Sequence, residues 1–363
     1  MKTWNCTCGN MLFFDSTHCV RCNRDTGACP ACKRIVAFGV GPSGEHWCRG
    51  KSCLKKVRKC ANNVKHGICN GYVFAEGTSS DLCDACCLTS DIPDLNVAEN
   101  LARWRKLELA KRRVVRQLRD LKLLPQHSDG GESPLSFRFL ADDPSGQPVL
   151  TGHAEGVVTV NIKEADDVER EKARVNFGER HRTLVGHFRH ELGHYVWYLA
   201  WKDSPPDYII EAFGDPGKID YEQARQEYYN RDENFEWQQN YISRYATMHP
   251  WEDFAETFAN YLDMIDTVET SEHFGFVNGN CPTFMDKLHA YERIGVAINE
   301  LNRGVGVLDL VPEVFTPSVI EKLRTIDKAV MTIQTRGLWT TPQAPCSISN
   351  DGSCATSSSV QVP

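Results

Sequence analysis

Cysteine crowds one end of this chain. Of its 16 cysteines, 13 fall within the first 87 residues, mostly in pairs with one to four residues between them. A segment of that size, rich in Gly and Asn and poor in apolar side chains, cannot bury enough surface to fold unaided. Cross-links or bound metal must therefore hold it. The opening MKTWNCTCGN contains no apolar run of the length a secretory signal needs, which favours metal over disulfides.

Two thiolates on one tight turn, met by a second such pair, complete a tetrahedral site for zinc. Cys6, Cys8, Cys19 and Cys22 form one set, as CxC then CxxC, and Cys29, Cys32, Cys48 and Cys53 form another, as CxxC then Cx4C. Cys60, Cys69, Cys83 and Cys86 can make a third, although Cys60 and Cys69 stand far apart in sequence. Cys87 can substitute for Cys86, and His18, His46 or His66 can replace a thiolate. Two or three structural zinc ions are expected, with Cys281, Cys346 and Cys354 left as isolated thiols. Charge argues against nucleic acid as the partner of this module. Residues 1–95 carry 12 Lys and Arg against 8 Asp and Glu. Each four-thiolate zinc site is net negative, and three of them bring the balance to about −2. The phosphate-neutralising attraction that dominates nucleic-acid affinity is then missing, and the net charge of −7 over the whole chain points the same way.

The composition changes at 91–96. Pro93 and Asp94 make a turn, Asn96 can cap a helix, and Glu99 follows in capping-box position. The helix expected over 97–122 carries Leu101, Trp104, Leu107, Val114, Leu118 and Leu121 at helical spacing. Its other face holds nine Lys and Arg against three acids and is expected to be solvated. Residues 125–134 read as a loop, and 136–140 and 157–162 as strands. Helices are expected over 164–175, 181–201, 219–230, 233–246, 250–268, 284–302 and 316–333. In the cysteine-rich part short runs such as 11–14 and 35–38 are strand-like, and nothing has helix-length periodicity. Residues 335–363, rich in Ser, Thr, Pro and Gln, predict a disordered tail. The fold class is α+β: a zinc module over 1–92, a mainly helical domain with a small β element over 93–334, and the tail. The most apolar stretch, near 184–201, contains Arg189, Glu191 and three histidines, which a bilayer rejects. No membrane partner is expected, and the location is expected to be cytoplasmic.

The strongest chemical signal is the run His187-Phe-Arg-His190-Glu191-Leu-Gly-His194-Tyr. Residues four apart share a helical face, so His190 and His194 can reach one metal ion, with Glu191 beside them to take a proton from its water. Leu184, Phe188, Leu192, Tyr195 and Leu199 form a separate apolar stripe for the core. Gly193 costs a helix about 1 kcal/mol relative to Ala, which suggests that another segment approaches closely there. A third ligand is offered by His249-Pro-Trp-Glu252-Asp253-Phe-Ala-Glu256. Pro250 suits a helix's first turn, and acids favour its positive end. Glu252 is expected to bind the metal and Glu256 to hold a ligand histidine from outside, with Asp253 the alternative ligand. His187 lies on the ligand face and is expected at the substrate or in the outer shell. His153 and His249 are expected to bond locally, and Trp197, Trp201 and Trp251 to pack in the core.

With these motifs together, the chain resembles a bacterial family of zinc-binding metallopeptidases that carry an N-terminal zinc ribbon. The likeness runs from residue 1 to near 275. It is carried by Cys60-Ala-Asn with His66-Gly-Ile-Cys69-Asn, Leu82-Cys83-Asp-Ala-Cys86, Ile92-Pro-Asp-Leu95, Leu150-Thr-Gly-His153, Asn161-Ile, Glu164-Ala-Asp-Asp167, the histidine run from Gly186 to Tyr195, Phe213-Gly-Asp215, and His249 to Glu256. The ribbon here is longer and richer in cysteine than that family's single-site version. Glu252-Asp-Phe-Ala-Glu256 is also similar to a segment of the lethal-factor-type metallopeptidases. That likeness implies Glu252 as ligand and Tyr245, seven residues earlier, as a hydrogen-bond donor to the transition state, with Tyr195, Tyr198 and Tyr241 as alternatives.

The resemblance implies a zincin-like domain with one catalytic zinc on His190, His194 and Glu252, Glu191 as base, and a peptide or protein substrate. The competing expectation is a non-catalytic multi-zinc adaptor, closed by His187 or Asp253 as a fourth ligand. A nucleic-acid binder using the ribbon and the 97–122 helix is the other rival.

Overall fold

Short strands built around paired cysteines make the first part of the chain. In the structure, a computed structural model, β1 (Trp4–Asn5) and β2 (Met11–Leu12) form a hairpin. A five-stranded antiparallel meander follows: β3 (Thr26–Ala28), β4 (Ile35–Val40), β5 (His46–Cys48), β6 (Lys56–Lys59) and β7 (Tyr72–Phe74). A short helix, α1 (Ala61–His66), joins the last two strands. Its side chains contribute nothing to the core, which is why helical periodicity is not visible there. The described residues are 1–336 apart from 43, 78–79, 125–134, 143–145, 147, 171–182, 203, 232–235, 278, 310 and 313. The loop expected over 125–134, the end of the helix expected over 164–175, and all but the first two residues of the expected tail lie outside them.

A second sheet has the order β10-β11-β9-β8, formed by β8 (Thr89–Asp91), β9 (Ser136–Leu140), β10 (Gly152–Ala154) and β11 (Val157–Asn161). β9 pairs parallel with both β8 and β11, while β10 is an antiparallel edge strand. Period-two alternation directs Phe137 and Phe139 of β9 and Val158 and Val160 of β11 into the core. A 3-10 turn (Ile162–Ala165) stands where the sequence predicts the start of the 164–175 helix.

Helix α2 (Asn100–Asp120) begins later than its capping signal suggests. Asn96 instead bonds to the Asp94 carboxylate through both its backbone and side-chain nitrogens, which diverts it into a turn. The basic face of α2 is only partly solvated. Lys111 and Glu108 are fully buried as an ion pair, and Arg112 is buried as well. Arg112 donates to Asn70 Oδ1, Arg113 pairs with Asp15, Arg116 donates to the Lys33 carbonyl at 2.9 Å and Arg105 to that of His66 at 3.0 Å. Arg103 pairs with Asp166 at 2.9 Å, toward the second sheet. These cations satisfy carbonyl and carboxylate oxygens on both sides, so α2 clamps the ribbon to the helical part.

Residues 167–170, inside the helix expected over 164–175, are helical, and further helices are α3 (Leu184–Ala200), α4 (Asp207–Phe213), α5 (Tyr221–Asn230), α6 (Pro250–Phe274), α7 (Phe284–Gly304) and α8 (Pro317–Arg336). No helix among the described residues is long and apolar enough to cross a membrane. The end of the stretch expected as a helix over 233–246 is irregular, with only a 3-10 turn at Tyr245–Thr247. The Gln239 and Asn240 carbonyls accept hydrogen bonds from Thr316 Oγ1 at 2.9 Å and Lys322 Nζ at 2.7 Å on or beside α8. Those carbonyls are therefore committed to tertiary contacts. One hydrophobic core runs through α2, β9, α3, α6 and α8, and it includes Cys60, Cys69, Cys83 and Cys86 of the cysteine-rich part.

Candidate metal centre

Helices α3 and α6 bring the candidate ligands together. The Thr183 side chain caps α3 by accepting from the Gly186 N–H at 3.0 Å. Phe188, Leu192, Tyr195 and Val196 bury its apolar stripe, which fixes the rotation of the helix and turns His190 and His194 toward α6. Gly193 faces that helix, where a Cβ would lie 2.7 Å from the Ala255 Cα. The close approach expected at this glycine is thus backbone against backbone. On α6, His249 is the N-cap and accepts from the Trp251 N–H, while Pro250 occupies the first turn.

The result is a tight triad. His190 Nε2 and His194 Nε2 lie 3.1 Å apart, and Glu252 Oε2 lies 3.1 Å from the first and 3.3 Å from the second. His190 Nδ1 donates to Glu256 Oε1 at 2.7 Å. Glu256 also takes a hydrogen bond from Ser243. With its Nδ1 proton so committed, a neutral His190 turns a lone pair toward the other two donors. Two imidazole nitrogens and a carboxylate oxygen crowded together repel unless a cation lies among them. Tetrahedral zinc with bonds of about 2.0–2.1 Å sets its donors roughly 3.3 Å apart, so this set fits zinc. Burial pushes the Glu252 carboxyl up, but the two imidazoles beside it prevail and hold it well below the usual carboxylate range.

Around the triad, Tyr221 donates from its hydroxyl to Glu252 Oε1 at 2.8 Å, which orients the carboxylate. The Trp251 ring lies against His194, with centroids 4.1 Å apart. Trp251 is therefore packed on a ligand candidate, whereas Trp197 is core as expected. Tyr245 comes within 5.9 Å of the His190 ring, centroid to centroid. Desolvation, followed by the charge of Glu252, keeps its hydroxyl protonated well above the ordinary phenol range. His153 accepts from the Gly156 N–H on Nε2, and its Nδ1 is buried with no partner among the described residues. Burial and the nearby His194 lower its pKa to about 4.

The two side chains considered as a fourth ligand are engaged elsewhere. Asp253 forms a buried ion pair with Lys322 at 2.6 Å and so drops out as an alternative ligand, and burial raises its pKa to about 6. His187 bonds to Glu164 and lies 3.3 Å from Glu191 Oε1. Tyr221 and Glu164 are the members whose place in the site sequence reading missed, although Glu164 stands in one of the segments that carry the family resemblance. Each is a lone residue reaching the site from an element with no periodic relation to the histidines.

The cysteines assemble as paired in the sequence. Sγ–Sγ separations are 3.6 Å for Cys6–Cys22 and Cys8–Cys19, and 3.8 Å for Cys29–Cys53 and Cys32–Cys48. A disulfide needs about 2.05 Å, whereas four sulfurs around zinc at about 2.3 Å sit roughly 3.8 Å apart. Burial pushes the Cys6 and Cys29 thiols up to about 11, whereas at Cys19 backbone hydrogen bonds from Cys22 and Arg21 outweigh burial and bring the thiol down to about 6. Cys60, Cys69, Cys83 and Cys86 form a third cluster, fully inside the protein, with all four sulfurs within 4.8 Å of one another. Gly71 lies against Cys83, where a side chain would collide with the sulfur. Cys87 stands outside the cluster, donating to the Asp84 carbonyl.

Residues 100–329 match the family described as "Putative zinc-binding metallo-peptidase", and residues 3–97 match a zinc-ribbon domain. The chain belongs to this zinc-binding metallo-peptidase family. It is similar to three uncharacterized mycobacterial proteins, Mb2598c of Mycobacterium bovis and MT2644 and Rv2568c of Mycobacterium tuberculosis. Each is 34% identical over 347 residues, a span covering 91% of this chain and 95% of the relative. No solved structure matches the chain. The family match takes in both helices of the triad, and the ribbon match takes in all three cysteine clusters.

Proposed function

We propose that this family member hydrolyses peptide bonds, using one zinc ion at His190, His194 and Glu252 and three structural zinc ions in the cysteine clusters. The observation that carries this reading is the convergence of two imidazole nitrogens and one carboxylate oxygen beside Glu191. His187 and Asp253 are both bound to other partners, which favours an open coordination position over a closed structural site.

Zinc, when bound, supplies a Lewis acid that makes water nucleophilic near neutral pH. Glu191 receives the water proton while the water oxygen bonds to the scissile carbonyl carbon. The Tyr245 hydroxyl donates a hydrogen bond to the oxygen that becomes negative. The C–N bond then breaks, and Glu191 returns the proton to the departing amine nitrogen. Tyr221 and Glu256 hold Glu252 and His190 in register throughout. The expected substrate is a peptide or an unfolded protein, and the expected location is cytoplasmic.

The test is Glu191→Gln in the zinc-loaded full chain, assayed on fluorescently labelled casein. Zinc content should stay at the wild-type value while hydrolysis falls roughly 10²- to 10⁴-fold. Undiminished hydrolysis in this variant would remove Glu191 from its role.

A further inference from the structure

Behind Glu191 lies a line of polar groups that the proposed reaction does not use. The Asn161 N–H donates to Thr151 Oγ1 at 3.0 Å, and Thr151 in turn donates to Glu164 Oε1. The other oxygen of Glu164 accepts from His187 Nδ1. His187 Nε2 faces Glu191 Oε1 at 3.3 Å. The remaining oxygen, Glu191 Oε2, is buried and has no partner among the described residues. Thr151, Glu164, His187 and Glu191 line one small crevice with Val160 and Phe188, where the His187 and Glu164 side chains keep 18% and 16% of their surface exposed.

An imidazole with carboxylate oxygens at both nitrogens satisfies them only by donating twice. From this geometry we infer that Glu164 and His187 form a clamp for Glu191, which fixes one oxygen and leaves the other as its single proton-accepting atom. The clamp deepens the hydrolase reading and rests on it for its purpose, but its existence is a structural matter that can be tested separately. A carboxylate with both oxygens free samples rotations about its terminal bond that aim neither oxygen at the water. Tying Oε1 removes most of those rotations before substrate arrives. Glu164 is anchored by the 3-10 turn that follows β11, so the sheet and not α3 alone sets where Glu191 points. Glu164 is in this sense a positioning residue that acts through His187.

The experiment uses the zinc-loaded full chain with ¹⁵N-labelled histidine. Side-chain ¹⁵N–¹H correlation spectra at neutral pH should show one ring protonated on both nitrogens, assigned to His187 by its loss in His187→Asn. In Glu164→Gln that ring should lose the doubly protonated signature, with zinc content and thermal midpoint unchanged. Where wild type cuts labelled casein, Glu164→Gln should lower kcat on the order of ten- to a hundredfold with KM unchanged. Glu164→Asp should recover part of the loss. A singly protonated His187 ring in the wild type overturns the clamp, as does an unchanged kcat in Glu164→Gln. Casein left uncut by wild type counts against the hydrolase reading alone, because the ring's protonation still decides the clamp.

Discussion

At Gly193 the histidine helix and the helix bearing Glu252 touch through their backbones, and this contact sets the ligand spacing. Two effects oppose each other in Gly193→Ala. Alanine is the better helix former by about 1 kcal/mol, but its Cβ would lie 2.7 Å from the Ala255 Cα, an atom that cannot rotate away. Overpacking against a fixed neighbour costs about 1–3 kcal/mol, so the clash outweighs the gain. The variant should melt at a lower temperature and bind zinc more weakly at the triad, as measured by thermal unfolding and competition with a chromogenic chelator. At this scale the sequence is informative where spacing does the work. His190, His194 and Glu252 are readable because helical repeat and first-turn chemistry fix their directions. Tyr221 and Glu164 are not, since a hydrogen bond from a distant helix end or turn leaves no periodic trace.

Among the elements, α2 departs furthest from its sequence reading. Its apolar stripe is legible, but the opposite face, read as solvated, packs against the ribbon and the second sheet. Charge alone does not reveal whether water or a carbonyl will receive it. Lys111 makes the point. It is fully buried, pairs with Glu108 at 2.8 Å, and lies 5.4 Å from the centre of the Phe137 ring. Lys111→Met should fill the space but leave Glu108 a buried charge without its cation, at a cost of about 3–5 kcal/mol. Adding Glu108→Leu should recover much of that loss. Urea unfolding of wild type and the two variants measures the difference, and equal stability of both variants would show that the pair is uncoupled. Residues 236–244 of the helix expected over 233–246 stay irregular for a related reason, since Lys322 and Thr316 take up carbonyls a helix would have used.

Over the whole molecule, the three cysteine clusters differ in what they support. Cys6 and Cys19 sit in a small core with Leu12 and Phe14, whereas Cys60, Cys69, Cys83 and Cys86 share the main core with Trp104 and Phe188. A structural zinc site contributes about 10–16 kcal/mol at neutral pH in small zinc modules, comparable with the net stability of a whole domain, about 5–15 kcal/mol. Cys86→Ser should therefore lower the unfolding temperature of the helical part itself. Cys19→Ser should loosen the first hairpin and leave that transition nearly in place. Calorimetry on both variants separates them, and identical traces would contradict the shared core. This inequality is hidden in the sequence, where the third set looks the weakest because Cys60 and Cys69 are widely spaced.

The shared core also bears on any attempt to study the helical half alone. A fragment starting after residue 92 would lose the cysteines that cover Trp104, together with the carbonyl oxygens that hold Arg105, Arg112 and Arg116. Its freshly bared aromatic and orphaned guanidinium groups would invite self-association. Silence from such a truncation would report a wounded surface and would leave the chemistry of the intact chain untouched.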